Sequence, residues 1–272
     1  MSALPFIRLL GTAAAAETWH DTPAHDAPPR RLALLALLAL AASEGIARAR
    51  VASLLWARDG SERANHMLNE LLSALRSELG DGVVIETQEL LRLDTSLVMV
   101  DAVEFERAAD GRDLERAAEL YEGEFLEGFF LEDAVEFEQW VSDQRLRLTS
   151  HAVAVLEQLA ADAHDRGENA AAIALLRRRA DLEPYAPEPT LALMHALEAS
   201  GDAHEALRAG RTYESRIRTF LETDPAPEVL SETRRLRAIV GPAATPSTGT
   251  PNAAAGFGPL LRDELRGRGD KR

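Results

Sequence analysis

SERANHMLNELLSALRSEL, residues Ser61–Leu79, is the stretch whose reading decides how the first hundred residues of this chain fold. Ser61 can accept a hydrogen bond from a backbone N–H of the first turn, and Glu62 suits the positive start of a helix. Ala64, Leu68, Leu71, Leu72, Leu75 and Leu79 recur at helical spacing and make one apolar face. At about 100° per residue, Glu62, His66, Asn69, Ser73 and Arg76 gather on the opposite face. Gly80-Asp81-Gly82 ends the run. Taken alone this is an ordinary surface helix; the sequence on both sides gives it another meaning.

Upstream, Pro29-Arg30-Arg31 opens a helix that continues as LALLALLALAA, apolar almost all round and therefore central. Ser43-Glu44-Gly45 ends it. Ile46–Trp56 reads as a second helix with Val51, Leu54 and Leu55 inward and Arg48 and Arg50 outward. Downstream, Val83–Thr87 and Leu90–Leu93 are short β-prone runs around Gln88-Glu89, a hairpin. At the start, Phe6–Leu10 reads as a strand stopped by Gly11. Thr12–Pro29 reads as a strand and a loose loop, in which His20 and His25 are solvated. Strand, three helices and hairpin predict a winged helix-turn-helix over residues 1–96. In that geometry the third helix enters the major groove of duplex DNA. Asn69 suits adenine, Arg76 suits guanine or phosphate, Ser73 suits either, and His66 shares their face. Arg48, Arg50, Arg63 and Arg92 are then expected at phosphates, which fix register without reading sequence.

Past Asp94–Val100 the character changes, and residues 97–240 read as a second, all-helical domain. Asp101–Ala109 and Arg112–Tyr121 are helices. Glu122–Leu131 is an aromatic connector between glycines, and Glu132–Asp165 is a long helix. Phe125, Phe129, Phe130 and Trp140 are expected to plug the connector onto that helix. A shift of 34 residues aligns Leu159 with Leu193, Ala163 with Leu197, Gly167 with Gly201, Ala172 with Ala206 and Ile173 with Leu207. That period, with small residues where paired helices touch, is the tetratricopeptide signature. Pro227–Val240 is expected to cap the array. Residues 241–272 read as a disordered linker, GPAATPSTGTPNAAAG, and a short tail. The fold class expected is mainly α: an N-terminal winged helix-turn-helix followed by tetratricopeptide-like helical repeats.

Charge is uneven along the 272 residues. Residues 1–100 hold 9 Arg against 12 acids, residues 101–240 hold 16 Arg against 30 acids, and the whole carries −15. The absence of Cys excludes disulfides, thiol catalysis and thiolate metal sites. No phosphate-binding loop, dinucleotide fingerprint, zinc-protease helix or nucleophile elbow is present, so no enzyme, cofactor or metal site is expected. His151, His164, His195 and His204 read as packing or surface residues. The longest apolar run, Leu32–Ala42, is far short of the roughly 20 residues that span a bilayer. A cytoplasmic protein with no membrane contact is expected.

FIRLLG, PRRLALLALLALA, VASLLW, ANHMLNELLSALRSELGDG and above all YEGEFLEGFFLEDAVEFEQWVSDQRLRL together resemble the bacterial transcriptional activator domain regulators. These are the Streptomyces-antibiotic-regulatory-protein type, and LETDPAPEVLSETRRLR is similar to the usual end of that domain. The resemblance covers roughly Phe6–Val240. It implies a response-regulator-type winged helix without a phosphoreceiver and a tetratricopeptide-like activator domain. It also implies binding to direct repeats near promoters and contact with RNA polymerase through residues 97–240. The few arginines suggest modest intrinsic affinity, which favours a homodimer on two adjacent repeats. Glu62, Glu70 and Glu78 accompany Arg63 and Arg76 on the third helix, and the wing tip carries no Arg or Lys. The alternative reading is therefore an interaction adaptor whose degenerate winged helix no longer binds DNA.

Overall fold

A computed structural model describes residues 5–11, 14–16, 29–41, 44–87 and 89–241. The stretch with His20 and His25, Gln88 between the two hairpin strands, and the expected linker and tail beyond Gly241 lie outside the described residues. The chain is mainly helical. Strands β1 (Phe6–Arg8) and β2 (Ala14–Ala16) precede helix α1 (Pro29–Leu40). Strand β3 (Ile46–Ala47) leads directly into α2 (Arg48–Leu55), and α3 (Ser61–Leu79) follows a short turn. Next come β4 (Val84–Glu86), β5 (Leu90–Leu93) and β6 (Met99–Val100). The rest is helical: α4 (Asp101–Asp110), α5 (Leu114–Leu120), α6 (Val135–Asp165), α7 (Asn169–Leu182), α8 (Pro187–Ala199), α9 (Ala203–Arg216) and α10 (Pro227–Val240). A π-helical turn, Ile217–Leu221, ends α9.

Each half follows from its hydrophobic pattern. All residues from Leu32 to Ala39 are buried, so α1 is the central rod that its sequence predicts. Ala64, Leu68, Leu72 and Leu75 turn α3 into the same buried core. Burial of each such Leu contributes about 1.5–3 kcal/mol. The hairpin forms with Val84 opposite Leu93 and Glu86 opposite Leu91. Ile46 and Ala47, read from sequence as the start of a helix, instead pair with Leu91 and Leu90 as a third strand of that sheet. β-branched Ile46 meets a free strand edge there, and helix begins only at Arg48.

The second sheet ties the two halves together. β1 lies between β2, antiparallel to it, and β6, parallel to it. Leu9 and Leu10 extend beyond β1, and their N–H groups donate to Oδ1 and Oδ2 of Asp101 at 2.8 and 2.9 Å. Leu10 also bridges Phe125, and Leu126 N–H donates to Leu9 carbonyl at 2.7 Å. One buried core therefore runs unbroken from Ile7 through α1 to Leu159 on α6. Residue 96 marks a change of sequence character inside continuous packing.

Phe125 of the connector and Phe137 of α6 are fully buried, and Trp140 of α6 packs edge-on to Phe125. Phe130, expected in the same plug, is 66% exposed. Arg145 holds the connector's backbone by donating to the carbonyls of Phe125 and Leu126 at 2.8 and 2.6 Å.

The repeats superimpose in detail on the 34-residue shift. After α6, Gly167 N–H donates to His164 carbonyl and Glu168 N–H to Ala163 carbonyl. After α8, Gly201 donates to Glu198 and Asp202 to Leu197, the same bonds one period on. Both glycines have left-handed φ, +73° and +90°, as this helix stop requires. Two antiparallel helix pairs result, α6–α7 and α8–α9, with α10 closing a second core built on Met194, Tyr213 and Leu236. This is a tetratricopeptide-like helical domain.

Candidate nucleic-acid interface

The polar face of α3 is displayed because its leucines are committed to the core. Glu62, His66, Asn69 and Ser73 are exposed and Arg76 is half-buried. β4 runs alongside, one turn beyond the end of α3, and places Glu86 against that face. One carboxylate oxygen of Glu86 accepts from Arg76 Nη2 at 2.7 Å; the other pairs with Arg48 Nη1. Arg48 Nη2 in turn donates to Asn69 Oδ1 at 2.5 Å. Three of the expected DNA-contact residues thus meet in one network, brought there by the first turn of α2, the middle and last turn of α3, and β4.

The other expected residues are placed separately. Arg63 pairs with Asp59 at 3.4 Å, and His66 lies 3.3 Å from Glu70 along the same helix. Ser73 and Arg92 are exposed, the latter on β5. Arg50 reaches away, to Glu136 at the start of α6 at 3.7 Å. Nearby, Arg58 pairs with Asp133, a second contact between the α2–α3 turn and the helical half.

Two acids that organise the structure were not read from the sequence, Glu86 in this network and Asp101 at the end of β1. Glu86 gives no signal of its own, because its partners lie 38 and 10 residues away on other elements. Asp101 does carry a weak signal, an Asp opening a helix directly after Met-Val. It is 2% exposed and accepts three backbone N–H groups, from Leu9, Leu10 and Ala102. Burial pushes its carboxyl up to about 7, outweighing those three donors and Arg8, which favour the anion.

A second surface, between α7, α8 and α9, is lined by Arg177, Leu193, Arg208, Tyr213 and Arg216. Glu205 balances two of its guanidiniums, Arg177 at 3.4 Å and Arg208 at 2.7 Å. Among the described residues there is no acid–His cluster able to hold a metal, and no helix long and apolar enough to cross a membrane.

No curated protein is a significant sequence match. Among solved structures, Mycobacterium tuberculosis EmbR, in complex with a low-affinity phosphopeptide, is similar with a TM-score of 0.56 and 21% identity. The similarity covers 86% of this chain and 65% of that one, and at this identity it concerns the fold. The bacterial transcriptional activator domain matches residues 96–237, more than half of the chain and the part that carries the aromatic connector and the repeats. The chain belongs to the bacterial transcriptional activator domain family.

Proposed function

We propose that this regulator binds promoter DNA through a winged helix-turn-helix formed by α1–α3 and the β4–β5 hairpin, and engages the transcription machinery through its helical repeats. The observation that carries the reading is the outward polar face of α3, flanked by a hairpin and by the arginine that opens α2. A helix displayed in this way fits the major groove, and the hairpin beside it lies over the flanking backbone. Arg48, Arg63 and Arg92 contribute phosphate contacts, and Asn69, Ser73 and Arg76 face base edges. Arg50, turned to Glu136, contributes through the junction of the halves. Two protomers on adjacent direct repeats would compensate for the sparse positive charge. The acidic repeats stand away from phosphate and suit a protein partner such as RNA polymerase. The reaction is recognition rather than catalysis, and its place is the cytoplasm with the chromosome.

One observation favours the adaptor reading: Glu86 already pairs with two of the arginines that DNA would need and cancels one of their two charges. A footprint of the bound protein across the genome separates the two. The DNA reading predicts protected direct repeats upstream of promoters whose transcripts fall when the gene is deleted. An unprotected genome, with the transcripts unchanged, would leave the adaptor.

A further inference from the structure

Resting on the DNA-binding reading, we infer that Glu86 is a specificity-determining residue. It holds Arg48, Asn69 and Arg76 in an arrangement that recognises guanine and suppresses binding to random sequence. The geometry sets the hydrogen-bonding character of the face. A guanidinium only donates, so the Asn69 atom that meets Arg48 Nη2 at 2.5 Å is the carbonyl oxygen. Bidentate recognition of adenine needs both that oxygen and the amide NH2. That bond fixes the orientation of the amide and engages one of the oxygen's two lone pairs, so adenine N6 must compete with Arg48 for it. Arg76, held by Glu86 at 2.7 Å, presents donors alone. The major-groove edge that offers two acceptors side by side is guanine, through N7 and O6. The network therefore weakens the adenine preference that Asn69 suggests by itself and leaves guanine, met by the donors of Arg76, as the favoured base.

The same carboxylate weakens attraction to any phosphate. Arg48 and Arg76 would carry two positive charges towards DNA; with Glu86 between them the cluster carries one. Phosphate attraction is the sequence-independent part of binding, so the loss falls first on random sequence. Glu86 is itself one-third exposed at a strand end and contributes little to the core, which makes it replaceable without unfolding.

Selection from a random duplex pool, followed by titration over salt, tests this with the full chain and the isosteric E86Q. E86A is a second variant, Asp81→Asn a charge control on the turn after α3, and thermal melting confirms that each is folded. The inference predicts that the wild type selects guanine at the α3 step. It also predicts that E86Q binds random duplex about tenfold tighter, with a salt slope steeper by about 0.9, and discriminates less. Selection of adenine by the wild type would overturn it. So would unchanged affinity, slope and discrimination in E86Q and E86A while the wild type binds, which leaves the DNA reading intact. Equal tightening by Asp81→Asn would reduce the effect to net charge and overturn it as well. Failure of every protein to retain duplex at low salt would overturn this inference together with the reading beneath it.

Discussion

Asp101 shows how much one side chain can decide. The N–H groups of Leu9 and Leu10 leave β1 with no strand partner, and a buried unsatisfied N–H costs about 1–3 kcal/mol. Asp101, the first residue of α4, satisfies both and so fastens the N-terminal strand to the helical half. Its confinement has a pH signature. The folded carboxyl is raised from 3.8 to about 7, so the native state binds that proton more tightly than the unfolded chain. Its contribution to stability is complete below about pH 4 and is lost as pH rises to about 7, at up to about 1.4 kcal/mol per pH unit. Urea melts of the wild type and Asp101→Asn across that window isolate the effect. The stability of the wild type relative to the variant should fall with rising pH, and a level difference would show that the three donors hold the carboxyl ionised throughout.

Between α9 and α10 the approach is set by a glycine. A Cβ at Gly210 would lie 2.5 Å from Thr233 Oγ1 and 2.9 Å from Met194 Cε, so the glycine is what lets α10 close the second core. Gly210→Ala should cost about 1–3 kcal/mol by overpacking, although alanine favours helix at an open position. Calorimetry decides it: a midpoint equal to or above the wild type would mean that the helices part freely. Helices were the legible part of the sequence, because each carries its own apolar period. The leucine face of α3, the apolar α1 and the 34-residue repeat could all be read along one strand of text. What escaped depends on partners distant in sequence. Ile46 and Ala47 become a strand only because β5 offers an edge. Phe130 turns outward where a hydrophobic pattern alone would bury it. The contact residues of the candidate interface were legible as a face, but the Glu86 network that organises Arg48, Asn69 and Arg76 was not, since no periodicity relates α2, α3 and β4.

At the scale of the molecule, two regions of different sequence character share one core. Cutting near residue 100 would remove Phe105, Phe125 and Asp101 from the core that Ile7, Leu9 and Leu10 share with them, so the whole chain is the unit to test. Ion pairs Arg50–Glu136 and Arg58–Asp133 join α2 and the turn before α3 to the start of α6, which places α3 and the repeats on one connected scaffold. Such a connection lets an event on either half bias the other only if the scaffold moves as a unit. The central claim is that this scaffold presents α3 to duplex DNA. It is tested most directly by equilibrium titration of a labelled promoter duplex with the full chain, at several salt concentrations, for the wild type, Arg76→Ala and Asn69→Ala. The account predicts binding whose logarithm falls linearly with the logarithm of salt. It also predicts that at least one variant, still folded, loses about 1–3 kcal/mol of affinity. A wild-type chain that retains no duplex at micromolar protein and low salt, or two variants that bind as the wild type does, would contradict it.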